Sequence, residues 1–346
     1  MLTLDRSIMS EPRCTYFIDI VGSCNLRCPS CPVGNYKASD FYRERRPKGI
    51  MSLGMFRLIL DKIDRERREE CEKVVISLYN WGEPLLHPEL VEFIDAVRSK
   101  GFISDLSSNL NIKDVSKVVE AAPNKLIVSL SGYYDDIYSR THVRGNISLV
   151  ISNLFKLRYW MDKLNKDIDV EVSYHIYEHN VERDFLRMKE ITDDLGFHFS
   201  SDIAIFMPVE KNIRYLGGGG LSLGDQDLVS LMMVKPNDIV QYIDKYGQYP
   251  CLLQQMTTIN FDGSTALCCG VYDYENNIAD QFLDVSHNDL ELKKKSHHLC
   301  GECMKKGVHV MASYLPREEW DQMIEERLVE LGCSVKRDVS HRRSIH

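Results

Sequence analysis

No apolar run in this 346-residue chain reaches the roughly 18–20 residues that a membrane-spanning helix needs. Met1 to Arg13 also lacks the apolar core of a secretory signal, so a cytoplasmic protein is expected. An excess of basic residues is missing too. With 43 Lys and Arg against 51 Asp and Glu, the net charge is −8, which argues against a broad nucleic-acid footprint. The short basic tail, Lys336-Arg337 and His341-Arg342-Arg343, reads as a solvated end. Internal repeats are absent, and the only low-complexity tract is Gly217 to Gly220, which reads as a mobile connection or a lid. At 44% hydrophobic and 27% charged residues, the composition is that of a globular protein. The length suffices for one large α/β domain and a smaller one.

Cysteine, by contrast, is plentiful. There are 11, an odd number, in a chain expected where thiols stay reduced. They read as metal ligands rather than as a disulfide framework. Three lie close together in Gly22-Ser23-Cys24-Asn25-Leu26-Arg27-Cys28-Pro29-Ser30-Cys31-Pro32. Three thiolates on one loop hold three irons of a cubane cluster and leave the fourth open for chemistry, much as an open position marks a catalytic zinc. Zinc is the alternative for such a pattern. A second group follows far along the chain: Cys251, then Cys268-Cys269, then Cys300-Gly301-Glu302-Cys303. It offers four thiolates from separate segments, enough to close every iron of a cluster, with zinc again the alternative. Cys14, Cys71 and Cys333 are isolated in sequence and read as buried or incidental thiols.

Around these groups the pattern is strand–helix alternation. Six β-prone runs begin near Tyr16, Lys73, Phe102, Lys125, Ile168 and Phe197, with helical runs near Met55, Pro88, Val115, Ile147 and Glu182. Right-handed crossovers then predict a parallel sheet, either an open (β/α)6 TIM-like partial barrel or a doubly wound sheet. In both, ligands gather at the carboxyl ends of the strands, where the first cysteine loop lies. Asp262-Gly263 between two β-prone runs predicts a hairpin from Thr257 to Leu267, and Arg317 to Leu331 reads as a helix. The expected organisation is a barrel over 14–210, a linker or loop region over 211–250, a hairpin-containing auxiliary-cluster domain over 251–316, and a helix and tail over 317–346.

The Cys24–Cys28–Cys31 spacing after a first strand resembles the radical S-adenosylmethionine (radical SAM) superfamily. The far cysteines resemble the twitch domain, the shortened form of the SPASM auxiliary-cluster domain found in that superfamily. The resemblance implies a SAM-binding 4Fe–4S cluster on Cys24, Cys28 and Cys31. It implies an auxiliary 4Fe–4S cluster on Cys251, Cys300, Cys303 and one of Cys268 or Cys269. It also implies reductive cleavage of SAM to a 5′-deoxyadenosyl radical that abstracts hydrogen from a substrate, with an electron donor such as flavodoxin or ferredoxin.

Trp81-Gly82-Glu83-Pro84 resembles the family's Gly-Gly-Glu-Pro, with Trp81 in place of the first glycine; Gly82 and Glu83 would contact the SAM amino group. Asn109, ending Ser107-Ser108-Asn109, and Ser129, ahead of Ser131, match further family contacts to SAM, and Arg144-Gly145 matches a recurrent pair. The family's aromatic residue before the third cysteine is here Ser30. Oxidation or rearrangement of a polar small molecule, of aminocyclitol or sugar type, is the leading expectation. Few residues precede the first strand, so a peptide-recognition domain is not expected there. Modification of a ribosomal peptide is the alternative, and a non-enzymatic metal-binding scaffold the alternative of another class. Glu210, Arg214, Tyr215 and His175 are candidates for a proton acceptor, and spacing does not select among them.

Overall fold

The computed structural model describes residues 13–33, 46–67, 71–313 and 317–332. Six strands lie side by side in chain order: β1 (Arg13–Ile18), β2 (Lys73–Ser77), β3 (Ile103–Ser108), β4 (Lys125–Leu130), β5 (Asp169–Ile176) and β6 (His198–Ile203). Every neighbouring pair among them is parallel. The chain returns between them through α1 (Leu53–Arg67), α2 (Leu90–Ser99), α3 (Ser116–Ala121), α4 (Asp135–Thr141), α5 (Ile147–Leu164) and α6 (Arg183–Asp194). A doubly wound sheet reverses its strand order at a switch point; this one does not, so the partial barrel is the fold.

Two-residue alternation gives each strand two faces. Ile76, Leu106, Val128, Val172 and Tyr174 turn toward the helices and join one large core. The alternate positions carry Ser77, Asp105, Ser107, Ser129, Glu171, Ser173 and Ser200. These pair with one another: Ser77 Oγ donates to Asp105 at 3.2 Å, Ser107 and Ser129 hydroxyls meet at 2.9 Å, and Ser200 donates to Glu171. The inner face of the barrel is therefore polar.

The expected hairpin forms, but it does not stand apart. β7 (Thr257–Ile259) adds to β1 in parallel, and β8 (Thr265–Ala266) and β9 (Asn277–Ala279) continue antiparallel, making one nine-stranded sheet. Gly263 turns the hairpin at φ +85°, where a side chain would be strained. The stretch expected as a linker is instead largely helical, with α7 (Val209–Leu216), α8 (Leu223–Leu231) and α9 (Ile243–Tyr246). Leu228, Val229 and Met232 bury against Tyr177, Ala204 and Phe206, so the segment is packed, and the glycine run is only the joint between α7 and α8. α10 (His287–Ser296), α11 (His298–Lys305), α12 (Val308–Ser313) and α13 (Arg317–Glu330) follow.

Cys14 and Cys71 are not isolated, contrary to expectation. Cys14 of β1 and Cys71, just ahead of β2, are disulfide-bonded with Cα atoms 5.7 Å apart. Cys333 and the basic tail lie outside the described residues. No described helix is long and apolar enough to cross a membrane.

Candidate functional site

β1 hands the chain to the carboxyl end of the barrel, and the loop that follows carries Cys24, Cys28 and Cys31 as partly buried thiols outside any disulfide. Arg27 N donates to Val143 O at 2.9 Å and Cys31 N to Cys28 O at 3.0 Å, which fixes the loop across the barrel mouth. Burial, then the neighbouring Cys31 and Cys24, push the Cys28 thiol well above its ordinary range. Burial, then Glu83, push Cys24 up to about 12. Thiols that oppose one another's ionisation are the donor set that a cationic iron centre converts to thiolates. The residues present fit such a centre.

The turn after β2 packs directly on this loop. Gly82 N donates to Asp19 Oδ1 at 3.0 Å, and a Cβ there would stand 1.5 Å from Val21 O, so only glycine fits. Glu83 is 2% exposed; its two oxygens accept from Leu85 N at 3.0 Å and Asn109 N at 2.9 Å, and burial raises it to about 7. Asn109 Nδ2 reaches Cys24 Sγ at 3.5 Å and Asn25 Oδ1 at 3.0 Å. Gly82, Glu83 and Asn109 thus meet at the cysteine loop. Ser129 sits on the barrel's inner face, hydrogen-bonded to Ser107. Ser131 is fully buried instead, 3.0 Å from His142 Nδ1. Burial and then His175 hold His142 down at about 3, so it stays neutral.

Three residues carry structure that spacing did not single out. Trp81, the departure from the family turn, donates from Nε1 to Val271 O at 3.2 Å and sets its ring against Tyr272 at 5.6 Å. Its signal was the departure itself. Arg46 is buried and donates to Asp19 Oδ2 at 2.6 Å, Asn260 Oδ1 at 3.1 Å and Tyr272 O at 3.4 Å. Its guanidinium also lies over the rings of Tyr272 and Tyr274 at 5.0 and 5.2 Å. Tyr177, just past β5, hydrogen-bonds Ser30 beside Cys31; burial pushes it up to about 12. Nothing in the local sequence around Arg46 or Tyr177 marks these long-range contacts.

The far cysteines surround a second place. Cys251, Cys268, Cys300, Cys303 and His309 line one cavity with about 490 Å³ of non-atom space, part of it open to solvent. Cys269 is not in its wall. Val209, Leu253, Leu267, Val271 and Leu299 make the rest largely apolar. Among the described residues no three Cys, His, Asp or Glu side chains close around a single ion. Burial and the other thiols push Cys303 up to about 12, and Cys268 well above its ordinary range. Four thiols around one cavity fit a cluster with a thiolate for each iron.

The proton-acceptor candidates separate. Glu210 accepts from the main-chain N–H groups of Tyr272 and Asp273, both at 2.9 Å, and so anchors the loop after Cys269. Tyr215 accepts from Asn237, and Arg214 packs under Gly219. His175 alternates with Ser173 and Glu171 on the inner face of β5, in register with Asp202 of β6.

No protein-family model matches the chain. It is 28% identical over 93 residues to the tungsten-containing aldehyde ferredoxin oxidoreductase cofactor-modifying protein of Pyrococcus furiosus, covering 27% of this chain and 23% of that protein. It is 28% identical over 194 residues to the S-adenosyl-L-methionine-dependent tRNA 4-demethylwyosine synthase of Methanocaldococcus jannaschii, covering 54% of this chain and 57% of that one. These matches span less than two thirds of either curated relative. Among solved structures, Streptococcus suis SuiB bound to S-adenosylmethionine superposes with TM-score 0.52 at 12% identity, covering 85% of this chain and 68% of that one. SuiB bound to its precursor peptide SuiA gives TM-score 0.53 at 13% identity, covering 84% and 66%. Strand order and these neighbours agree on the fold, a partial α/β barrel, and the Cys24–Cys28–Cys31 loop lies at its mouth.

Proposed function

We propose that the chain is a radical SAM enzyme that oxidises or rearranges a polar small molecule of aminocyclitol or sugar type. The observation that carries this reading is the meeting of Cys24, Glu83 and Asn109 at the open mouth of a barrel with a polar inner face. When bound there, a 4Fe–4S cluster and SAM supply a 5′-deoxyadenosyl radical that takes a hydrogen atom from the substrate. Cys24, Cys28 and Cys31 would hold the cluster. Gly82 and Glu83 would face the SAM amino group, with Asn109 and Ser129 on the rest of SAM. The serine hydroxyls and carboxylates of the inner face offer hydrogen bonds to a hydroxylated substrate, and the walls around them exclude bulk water. His175, on that face, would hold the proton that an oxidised alcohol gives up. Cys251, Cys268, Cys300 and Cys303 would hold an auxiliary 4Fe–4S cluster, which would serve as an electron acceptor.

A peptide substrate is the second reading. It is favoured by the shared fold with SuiB, which has been solved with a precursor peptide. Anaerobic reconstitution followed by assay for 5′-deoxyadenosine, with dithionite as reductant, tests the activity; no product from fully loaded protein overturns it. Deuterium transfer into 5′-deoxyadenosine from C–H-labelled aminocyclitols supports the first substrate class. Transfer only from a labelled peptide supports the second.

A further inference from the structure

Three described Lys or Arg side chains are buried: Arg46, Lys62 and Lys294. Two of them have a carboxylate partner. Arg46 meets Asp19 at 2.6 Å and Lys62 meets Glu66 at 2.5 Å. Lys294 of α10, at 2% exposure the most buried of the three, has none. Its ammonium donates to Met256 O at 2.6 Å and to Gln254 O at 3.4 Å, main-chain carbonyls of the turn that follows Cys251. Glu291, one helical turn back, is engaged instead with Arg67 at 3.5 Å. The remaining groups that act on Lys294 electrostatically are the thiols of Cys268, Cys269 and Cys300.

An ammonium taken out of water and hydrogen-bonded only to main-chain carbonyls is costly, with Glu291 acting on it from a distance while paired to Arg67, and a leucine or methionine would fill the same space without that cost. The position makes sense beside a centre of negative charge. A cubane with four thiolate ligands is net negative, and gains a further negative charge on reduction.

We propose that Lys294 is the counter-charge of an anionic iron–sulfur centre held by Cys251, Cys268, Cys300 and Cys303, and that it raises that centre's reduction potential. The proposal rests on the auxiliary-cluster reading above. It gives that cluster a direction: a fixed cation at its edge favours the form carrying one more electron, which suits an acceptor of the electron left on a substrate radical. Lys294 is a positioning and tuning residue; it touches no substrate.

The test uses the full chain with Cys24, Cys28 and Cys31 all changed to alanine, so that only the far cluster remains. Iron content and Mössbauer spectra are read first, then the potential by dithionite titration followed by electron paramagnetic resonance. If this protein binds no cluster while the unaltered chain holds about four irons, the auxiliary-cluster reading itself fails, and the proposal with it. If it binds one, Lys294→Gln, which keeps a donor but not the charge, is expected to lower the potential. The expected shift is at least the ~59 mV that a tenfold change in a one-electron equilibrium represents. Lys294→Arg is expected to stay near the parent. An unchanged potential in Lys294→Gln overturns the proposal while leaving the cluster in place. Loss of cluster binding in Lys294→Gln but not in Lys294→Arg supports it, because charge is then what the centre requires. Loss in both overturns it, because charge alone then does not suffice.

Discussion

One loop supplies all three cysteines at the barrel mouth, whereas three separate segments supply the four that line the far cavity: the turn at Cys251, the strand end at Cys268, and one turn of α11. The surroundings differ as much as the count. Cys24 is met by Asn109 and lies against Glu83, groups that can bind a charged ligand. The far cysteines are met by Leu253, Leu267, Val271 and Leu299. A loop can approach a cluster from one side only and leaves an iron reachable. Segments converging on a cavity can close it on every side. The two places are nonetheless joined. β7 continues the barrel sheet beyond β1, Trp81 bonds Val271, and Arg46 ties Asp19 to Asn260 and Tyr272.

The largest expected effect separates the two places. Changing Cys24, Cys28 and Cys31 to alanine should abolish 5′-deoxyadenosine formation while roughly half the iron remains, read by product assay and iron analysis. Residual product at the parent rate would break the comparison. Next comes the joint between them. Arg46→Met leaves Asp19 buried without its cation, and should cost about 3–5 kcal/mol of stability by denaturant unfolding. Adding Asp19→Asn should recover part of that loss. If Arg46→Met costs nothing, the joint is not holding the two places together. A smaller effect is expected at Gly82→Ala. Its Cβ would collide with the Val21 carbonyl, a backbone atom that cannot swing away, so about 1–3 kcal/mol and at least tenfold weaker SAM binding by calorimetry are expected.

Near neutral pH the smallest effect is a pH dependence, which grows as the solution is made acidic. His142 is held at about 3 by burial, below its unfolded value near 6.5. The unfolded chain therefore binds the extra proton first. The stability from keeping His142 neutral is complete above about pH 6.5 and is lost as pH falls toward about 3, by up to ~1.4 kcal/mol per pH unit. His142→Gln should flatten that limb in pH-dependent unfolding. Glu83 runs the other way: burial raises it to about 7, so its contribution is full below its unfolded value and falls as pH rises through 7.

Much of this was legible in the chain because it is local. Two-residue alternation and helical periodicity placed the six barrel strands within a few residues, and β4 fell on Lys125–Leu130 as expected. The triad was legible because its three cysteines are near in sequence. What was not legible depends on register and packing between distant segments. The partnership of Cys14 with Cys71 depends on how β1 packs beside the segment that enters β2, which no spacing encodes. Residues 211–250 read as a linker because four glycines interrupt their periodicity, yet α8 buries Leu228 and Val229 against Phe206. The choice between Cys268 and Cys269 was open because adjacent residues share every sequence spacing to within one. Side-chain direction distinguishes the two in the fold: Cys268 lines the cavity and Cys269 does not.

On the proposed reading, the loop at the mouth leaves an iron open while the far cysteines leave none. Reduced, fully reconstituted protein examined by electron paramagnetic resonance with and without SAM tests it most directly. Two cluster signals are expected, one that shifts on adding SAM and is missing when Cys24, Cys28 and Cys31 are alanine, and one that SAM leaves unchanged. A SAM-induced shift that survives loss of the triad, or disappears when Cys251, Cys268, Cys300 and Cys303 are replaced instead, would contradict it.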